Sequence, residues 1–97
     1  MILRTVHMHF RPEAVPDFML LFETHRDAIA RQPGCRGVQL IQSEDNPERI
    51  GTVSLWDDPS SLDAYRGSDL FAAVWPATKA LFASRPTAES HRLLWSS

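Results

Sequence analysis

Residues 50–66 read I-G-T-V-S-L-W-D-D-P-S-S-L-D-A-Y-R and pass from a strand into a helix. Ile50 to Trp56 is a strand-like run of β-branched, small and large apolar side chains. Asp58 followed by Pro59 then reads as an N-cap with proline at the first helical position, where its missing N–H costs nothing. A short helix through Tyr65 follows, and Gly67 breaks it. Upstream, Gly37-Val38-Gln39-Leu40-Ile41-Gln42 is a second strand-like run, and the polar Glu44-Asp45-Asn46-Pro47-Glu48 joins the two as a hairpin. Downstream, Ser68 caps a helical segment whose apolar stripe is Phe71, Val74, Trp75, Thr78, Leu81 and Phe82. Pro76 lies inside that segment, and losing the donor to the Ala72 carbonyl predicts a kink there.

The outer parts of the chain complete the pattern. Residues 2–10 alternate Leu3, Thr5, His7 and His9 against Ile2, Arg4, Val6, Met8 and Phe10, which predicts a strand with both faces covered. Pro12 and Glu13 open a long amphipathic helix carrying Val15, Phe18, Phe22, His25 and Ile29 on one stripe, and Pro33-Gly34 stops it. After Arg85-Pro86 a last strand is expected over His91 to Trp95. The order β-α-β-β-α-β predicts an α+β, ferredoxin-like fold: a four-stranded antiparallel sheet with helices on one face. Leu3, Val53 and Leu55 fall on the other face, and an apolar sheet face left in water calls for cover. A homodimer packing sheet against sheet supplies it.

Composition narrows the function classes. Ninety-seven residues are expected to form a single domain over 1–97, of a size at which a lone chain is marginally stable. The net charge is −2 with no long run of like charge, so neither nucleic acid nor a polybasic membrane contact is expected. No stretch has the length or apolarity of a signal peptide or a membrane span, and a cytoplasmic protein is expected. Cys35, the only cysteine, forms no intrachain disulfide and is most simply a small hydrophobe.

The segment S-L-W-D-D-P-S-S-L-D-A-Y-R-G-S-D-L-F-A-A-V-W resembles the strand-to-helix signature of the antibiotic biosynthesis monooxygenase family, at Trp56, Asp57, Leu62, Tyr65, Ser68 and Phe71. P-E-A-V-P-D-F at the start of the first helix and Q-P-G-C-R-G before the second strand extend the resemblance over nearly the whole chain. It implies a dimeric α/β barrel of two ferredoxin-like subunits. It also implies cofactor-independent oxygenation of a small aromatic or quinol-like substrate, with no flavin or metal required. The rival reading is a non-catalytic small-molecule-binding or sensing dimer of the same fold. Haem-degrading relatives place an iron-ligating His where Trp75 stands and an Asn where Val6 stands, and indole cannot ligate iron. Quinol oxygenases of the family use an Asn at the position of Thr52, which bears on the substrate class.

Several residues are candidates on this basis. The resemblance puts Trp56 in a cleft between sheet and helices, where its indole N–H could donate to a phenolate; the alternative is that it simply fills the core. Trp75 and Tyr65 are expected to wall the cleft or to pack as core, with Thr52 and Arg66 as further substrate contacts. His25 could serve as the base that deprotonates a substrate, or be a hydrogen-bonded core histidine. His7, His9 and His91 are loosely spaced for a metal site, against which stands a plain interfacial role. Arg66 and Arg92 could hold an anion, or be ordinary exposed salt-bridged residues. An interior cavity of about 300 Å³ or more would match the usual small-molecule site, whereas a closed interior would exclude both catalysis and binding.

Overall fold

A computed structural model describes residues 1–97. Its elements are β1 (Ile2–His9), α1 (Val15–Ala30), β2 (Cys35–Gln42), β3 (Arg49–Trp56), α2 (Pro59–Arg66), α3 (Asp69–Lys79) and β4 (Thr87–Arg92), with a 3-10 turn at Pro12–Ala14 leading into α1. The strands form one antiparallel sheet in the order β2-β3-β1-β4, the ferredoxin-like arrangement expected from the element order. β1 and β3 are central and pair Val6 with Thr52 and Arg4 with Ser54.

The helix ends are fixed by side chains that the sequence marks. The Asp58 carboxylate accepts from the Ser61 backbone N–H at 2.8 Å and from the Ser60 hydroxyl at 2.8 Å, which holds its pKa below the usual carboxylate range. Ser68 Oγ accepts from the Phe71 N–H at 3.1 Å and donates to the Tyr65 carbonyl at 2.6 Å, so one hydroxyl ends α2 and starts α3. Gly34 has φ 81°, and a Cβ there would collide with the Ser61 side chain. Only glycine permits both that left-handed turn and the close approach of the α1–β2 connection to α2. α3 continues through Pro76 to Lys79.

One strand lies elsewhere than expected. β4 runs over Thr87–Arg92, not His91–Trp95. Its register against β1 explains why: Arg92 already pairs with Ile2, and the Leu93 N–H bonds to the Met1 carbonyl at 3.0 Å. Beyond that point no partner strand remains, and Leu94 and Trp95 are exposed. Their apolar character suggested a strand, whereas the actual strand, T-A-E-S-H-R, is a polar edge.

Aromatic mass concentrates on the helix side. Trp56, Tyr65, Phe71, Trp75, Phe82, Phe10, Phe18 and Phe22 form one unbroken chain of ring contacts, with successive centroids 4.3 to 6.1 Å apart. Trp95 is the aromatic residue outside it. Met8, Phe10, Phe18 and Ile50 are the buried centre of the core. Only ten of the 97 residues are buried, because the sheet's other face carries no layer.

Candidate functional site

Alternation along β3 points Thr52, Ser54 and Trp56 to the helix side of the sheet, and β1 contributes Arg4, Val6 and Met8 beside them. α1 lies over these with Phe18, Leu21, Phe22 and Ile29, and α2 and α3 close the space with Tyr65, Arg66, Phe71, Val74 and Trp75. Between these layers is a mainly apolar cavity of about 180 Å³. It is smaller than the 300 Å³ expected of a small-molecule site, because ring side chains fill the helix–sheet gap. An apolar cavity of about 150 Å³ is nonetheless enough to take up benzene, so this volume suits one aromatic ring.

Five of the candidate residues, Trp56, Trp75, Tyr65, Thr52 and Arg66, line this one cavity. The sixth does not. His25 is half-buried on α1, but the α1 wall consists of Phe18, Leu21, Phe22 and Ile29. The lining set contains no imidazole and no carboxylate, so no general base of the ordinary kind faces the space.

The indole N–H of Trp56 is already engaged. Trp56 is 1% exposed, and its Nε1 donates to Ser54 Oγ at 2.9 Å. Ser54, which the sequence reading passed over, is thereby oriented with its own O–H proton unclaimed by any other residue. Two hydroxyls on β3 therefore face the cavity, Thr52 and Ser54, and Ser54 is the one held in place by the indole. Tyr65 stacks on Trp56 at 5.2 Å and meets Phe71 edge-on at 5.3 Å, and its hydroxyl forms no hydrogen bond within the chain. Burial pushes its pKa up to about 12, so near neutrality it is a phenol that donates and does not accept a proton as a base.

Arg4 is the second residue missed. It is half-buried, its Nη1 donates to Ser90 Oγ at 3.0 Å, and burial together with the charge of Arg66 pushes its pKa down. The three histidines proposed as a metal set are not brought together. His7 pairs with Thr87 and Gly51, whereas His9 bonds Ser84 Oγ and Glu48 and His91 bonds Thr5. Cys35 is half-buried at the entrance to β2.

Four antiparallel strands with helices on one face and an aromatic-walled cavity between the layers define a ferredoxin-like α+β fold built around a small apolar chamber. The family model of antibiotic biosynthesis monooxygenase matches residues 1–76, and the chain belongs to that family. A conserved protein from Methanosarcina mazei Go1 is similar at 26% identity, with a TM-score of 0.89 over 95% of this chain and 92% of that one. A putative antibiotic biosynthesis monooxygenase from Caulobacter crescentus CB15 is similar at 22% identity, with a TM-score of 0.90 over 97% and 90%. A variant of SnoaB, a cofactor-independent oxygenase from Streptomyces nogalater, is similar at 17% identity, with a TM-score of 0.87 over 98% and 94%. These last two likenesses are of fold. No curated protein matches the chain by sequence. No helix is long and apolar enough to cross a membrane.

Proposed function

We propose that this protein oxygenates a one-ring phenol or quinol inside the cavity, without flavin or metal. The observation that carries the reading is the composition of the cavity wall: aromatic rings, the neutral donors Thr52, Ser54 and Tyr65, the cations Arg4 and Arg66, and no acid or imidazole. A quinol anion is electron-rich enough to reduce O₂ directly. One oxygen atom enters the ring and the other leaves as water, while the quinol is oxidised to a hydroxyquinone. The substrate thus supplies the electrons, and no external reductant is needed. The chain's part is to hold the ring between Trp56, Tyr65, Phe71 and Trp75, donate to the substrate oxygen from Ser54, and exclude water from the reactive intermediates. Arg4 and Arg66 favour the anionic form of the substrate by charge, in place of the base role considered for His25.

The test is O₂ uptake by chelator-treated protein with hydroquinone as substrate. Ser54→Ala is expected to lower kcat/KM by about 100- to 1,000-fold, as removal of one preorganised donor does. Trp56→Phe should reproduce much of that loss by releasing the serine, and His25→Gln should leave the rate unchanged. Turnover that is indifferent to Ser54→Ala removes the proposed donor. Hydroquinone binding with no O₂ uptake in any variant would favour the non-catalytic ligand-binding reading, which the Thr52 departure from the family's Asn also favours.

We further infer that two copies pair through the open sheet face. Leu3, Val53 and Leu55 lie there at matched register, with Leu3 opposite Leu55, and the chain buries too little of itself to leave that face in water. Sedimentation at micromolar concentration should give a dimer, and a monomer would refute the pairing.

A further inference from the structure

Arg4 and Arg66 are the only charged residues in the cavity lining. Arg11, Arg26 and Arg36 each sit within ion-pair distance of a carboxylate, and the Arg36–Asp57 pair is bidentate at 2.6 and 3.0 Å. Arg4 and Arg66 have no acidic partner; Arg31, Arg49, Lys79, Arg85 and Arg92 share that lack, but none of those five lines this cavity. Arg4 and Arg66 are also close enough for the charge of one to act on the other. Asp63 and Asp69 lie within one helical turn of Arg66 in sequence, yet neither reaches it within ion-pair distance. Two like charges beside an apolar chamber, one of them half-buried, are an unfavourable arrangement for an empty protein. An incoming anion relieves it. The placement is specific as well: Arg4 lies opposite Ser54 across the β1–β3 pairing, next to the proposed donor, and Arg66 directly follows Tyr65.

We infer that Arg4 and Arg66 form a clamp for a carboxylate carried by the ligand, so that the cavity selects a one-ring aromatic acid over its neutral analogues. The ring occupies the apolar chamber, whose volume of about 180 Å³ matches one ring. The carboxylate accepts charge-assisted hydrogen bonds from guanidinium groups, whose planar fork matches it. This deepens the reading of the cavity as an aromatic-ligand site and rests on it. It does not require that the ligand be oxygenated.

The experiment compares binding of 2,5-dihydroxybenzoate, its methyl ester and hydroquinone to the intact protein, by calorimetry and by quenching of tryptophan fluorescence. The acid is expected to bind about ten-fold tighter than the ester, a difference of about 1.4 kcal/mol. That preference should shrink with added salt. Arg4→Met and Arg66→Met should each collapse the acid-over-ester ratio towards one. Arg66 is exposed on a helix, so its replacement tests the clamp even if the half-buried Arg4 does not tolerate change. Equal binding of acid and ester overturns the clamp and leaves the aromatic cavity standing; it is the result expected if the two charges serve only the phenolate. A preference that survives both replacements overturns it too. Failure of all three compounds to bind overturns the clamp together with the cavity reading.

Discussion

The two faces of the sheet are built from different chemistry, although every strand contributes to both. The helix-covered face carries Arg4, Val6, Met8, Ile50, Thr52, Ser54 and Trp56 and meets the chain of aromatic rings. The open face carries Leu3, Thr5, His7, Gly51, Val53 and Leu55 and has no ring larger than imidazole. Large planar side chains pack with gaps between them, and a helix layer over a sheet can leave one of those gaps open as a chamber. Short aliphatic side chains on a pleated surface make a face that a second sheet can meet at the usual separation of about 10 Å. The difference teaches that the proposed chemistry and the proposed assembly fall on opposite sides of one layer, so each can be perturbed without the other.

The largest expected effect comes from breaking the covered face. Trp56→Ala should cost about 3–5 kcal/mol, the usual range for truncating a fully buried aromatic residue. Denaturant unfolding measures it, and surviving protein should associate as the unmodified chain does. Breaking the open face comes next. Val53→Glu places an unpaired carboxylate at a half-buried position and, if sheets pair there, should weaken association by about 3 kcal/mol, roughly a hundred-fold in dissociation constant. If the face is simply solvated, the same substitution should change stability by no more than about 0.5 kcal/mol. Sedimentation equilibrium separates the two outcomes.

Much of this division was legible in the sequence, and what escaped did so for identifiable reasons. Period-2 alternation assigned Leu3, Val53 and Leu55 to the side away from the helices, and the caps at Asp58 and Ser68 fixed where α2 and α3 begin. Spacing and family resemblance together placed Trp56, Tyr65, Arg66, Trp75 and Thr52 around one cavity. Ser54 opens the signature segment but is not one of its matched positions, and its bond to Trp56, two residues along the same strand face, depends on side-chain orientation that residue type alone does not give. Arg4 belongs to no motif, and its place beside Ser54 comes from the β1–β3 register, a pairing between distant parts of the chain that local pattern does not encode. β4 was misplaced for the same reason, since its end is set by where β1 runs out of partner residues. His25 shows the converse error: a helical stripe identifies the side that faces the sheet but not which of its members reach a cavity.

A smaller effect sharpens the covered face by pH. The Tyr65 phenol ionises near 10 when exposed and near 12 in the fold, because burial disfavours the phenolate. A group whose pKa is raised on folding contributes its full stabilisation below the unfolded value and loses it as pH rises through the folded one. Stability should therefore fall between about pH 10 and 12 at a slope approaching 1.4 kcal/mol per pH unit from this group. Other bases titrate in that window as well. The informative quantity is the difference from Tyr65→Phe, which should lack this component, whereas Thr5→Val on the open face should retain it.

The smallest effect tests whether the cavity wall depends on the turn that closes it. Asp58 and Ser68 are both N-caps, but Asp58 serves only the start of α2, whereas Ser68 also donates to the Tyr65 carbonyl. Asp58→Ala and Ser68→Ala should each cost about 1 kcal/mol, the ordinary value of a cap. Their consequences for the cavity should differ. Ser68→Ala releases the tie that holds Tyr65 edge-on to Phe71, and with it the stack on Trp56, so tryptophan emission and ligand affinity should change. Asp58→Ala should leave both as they were. Ser68→Asp separates the two roles, since a carboxylate caps α3 but has no proton to give to the Tyr65 carbonyl. Recovered stability with an altered emission spectrum would assign the cap to the fold and the second hydrogen bond to the site; full recovery of both would mean that packing alone holds Tyr65 in place.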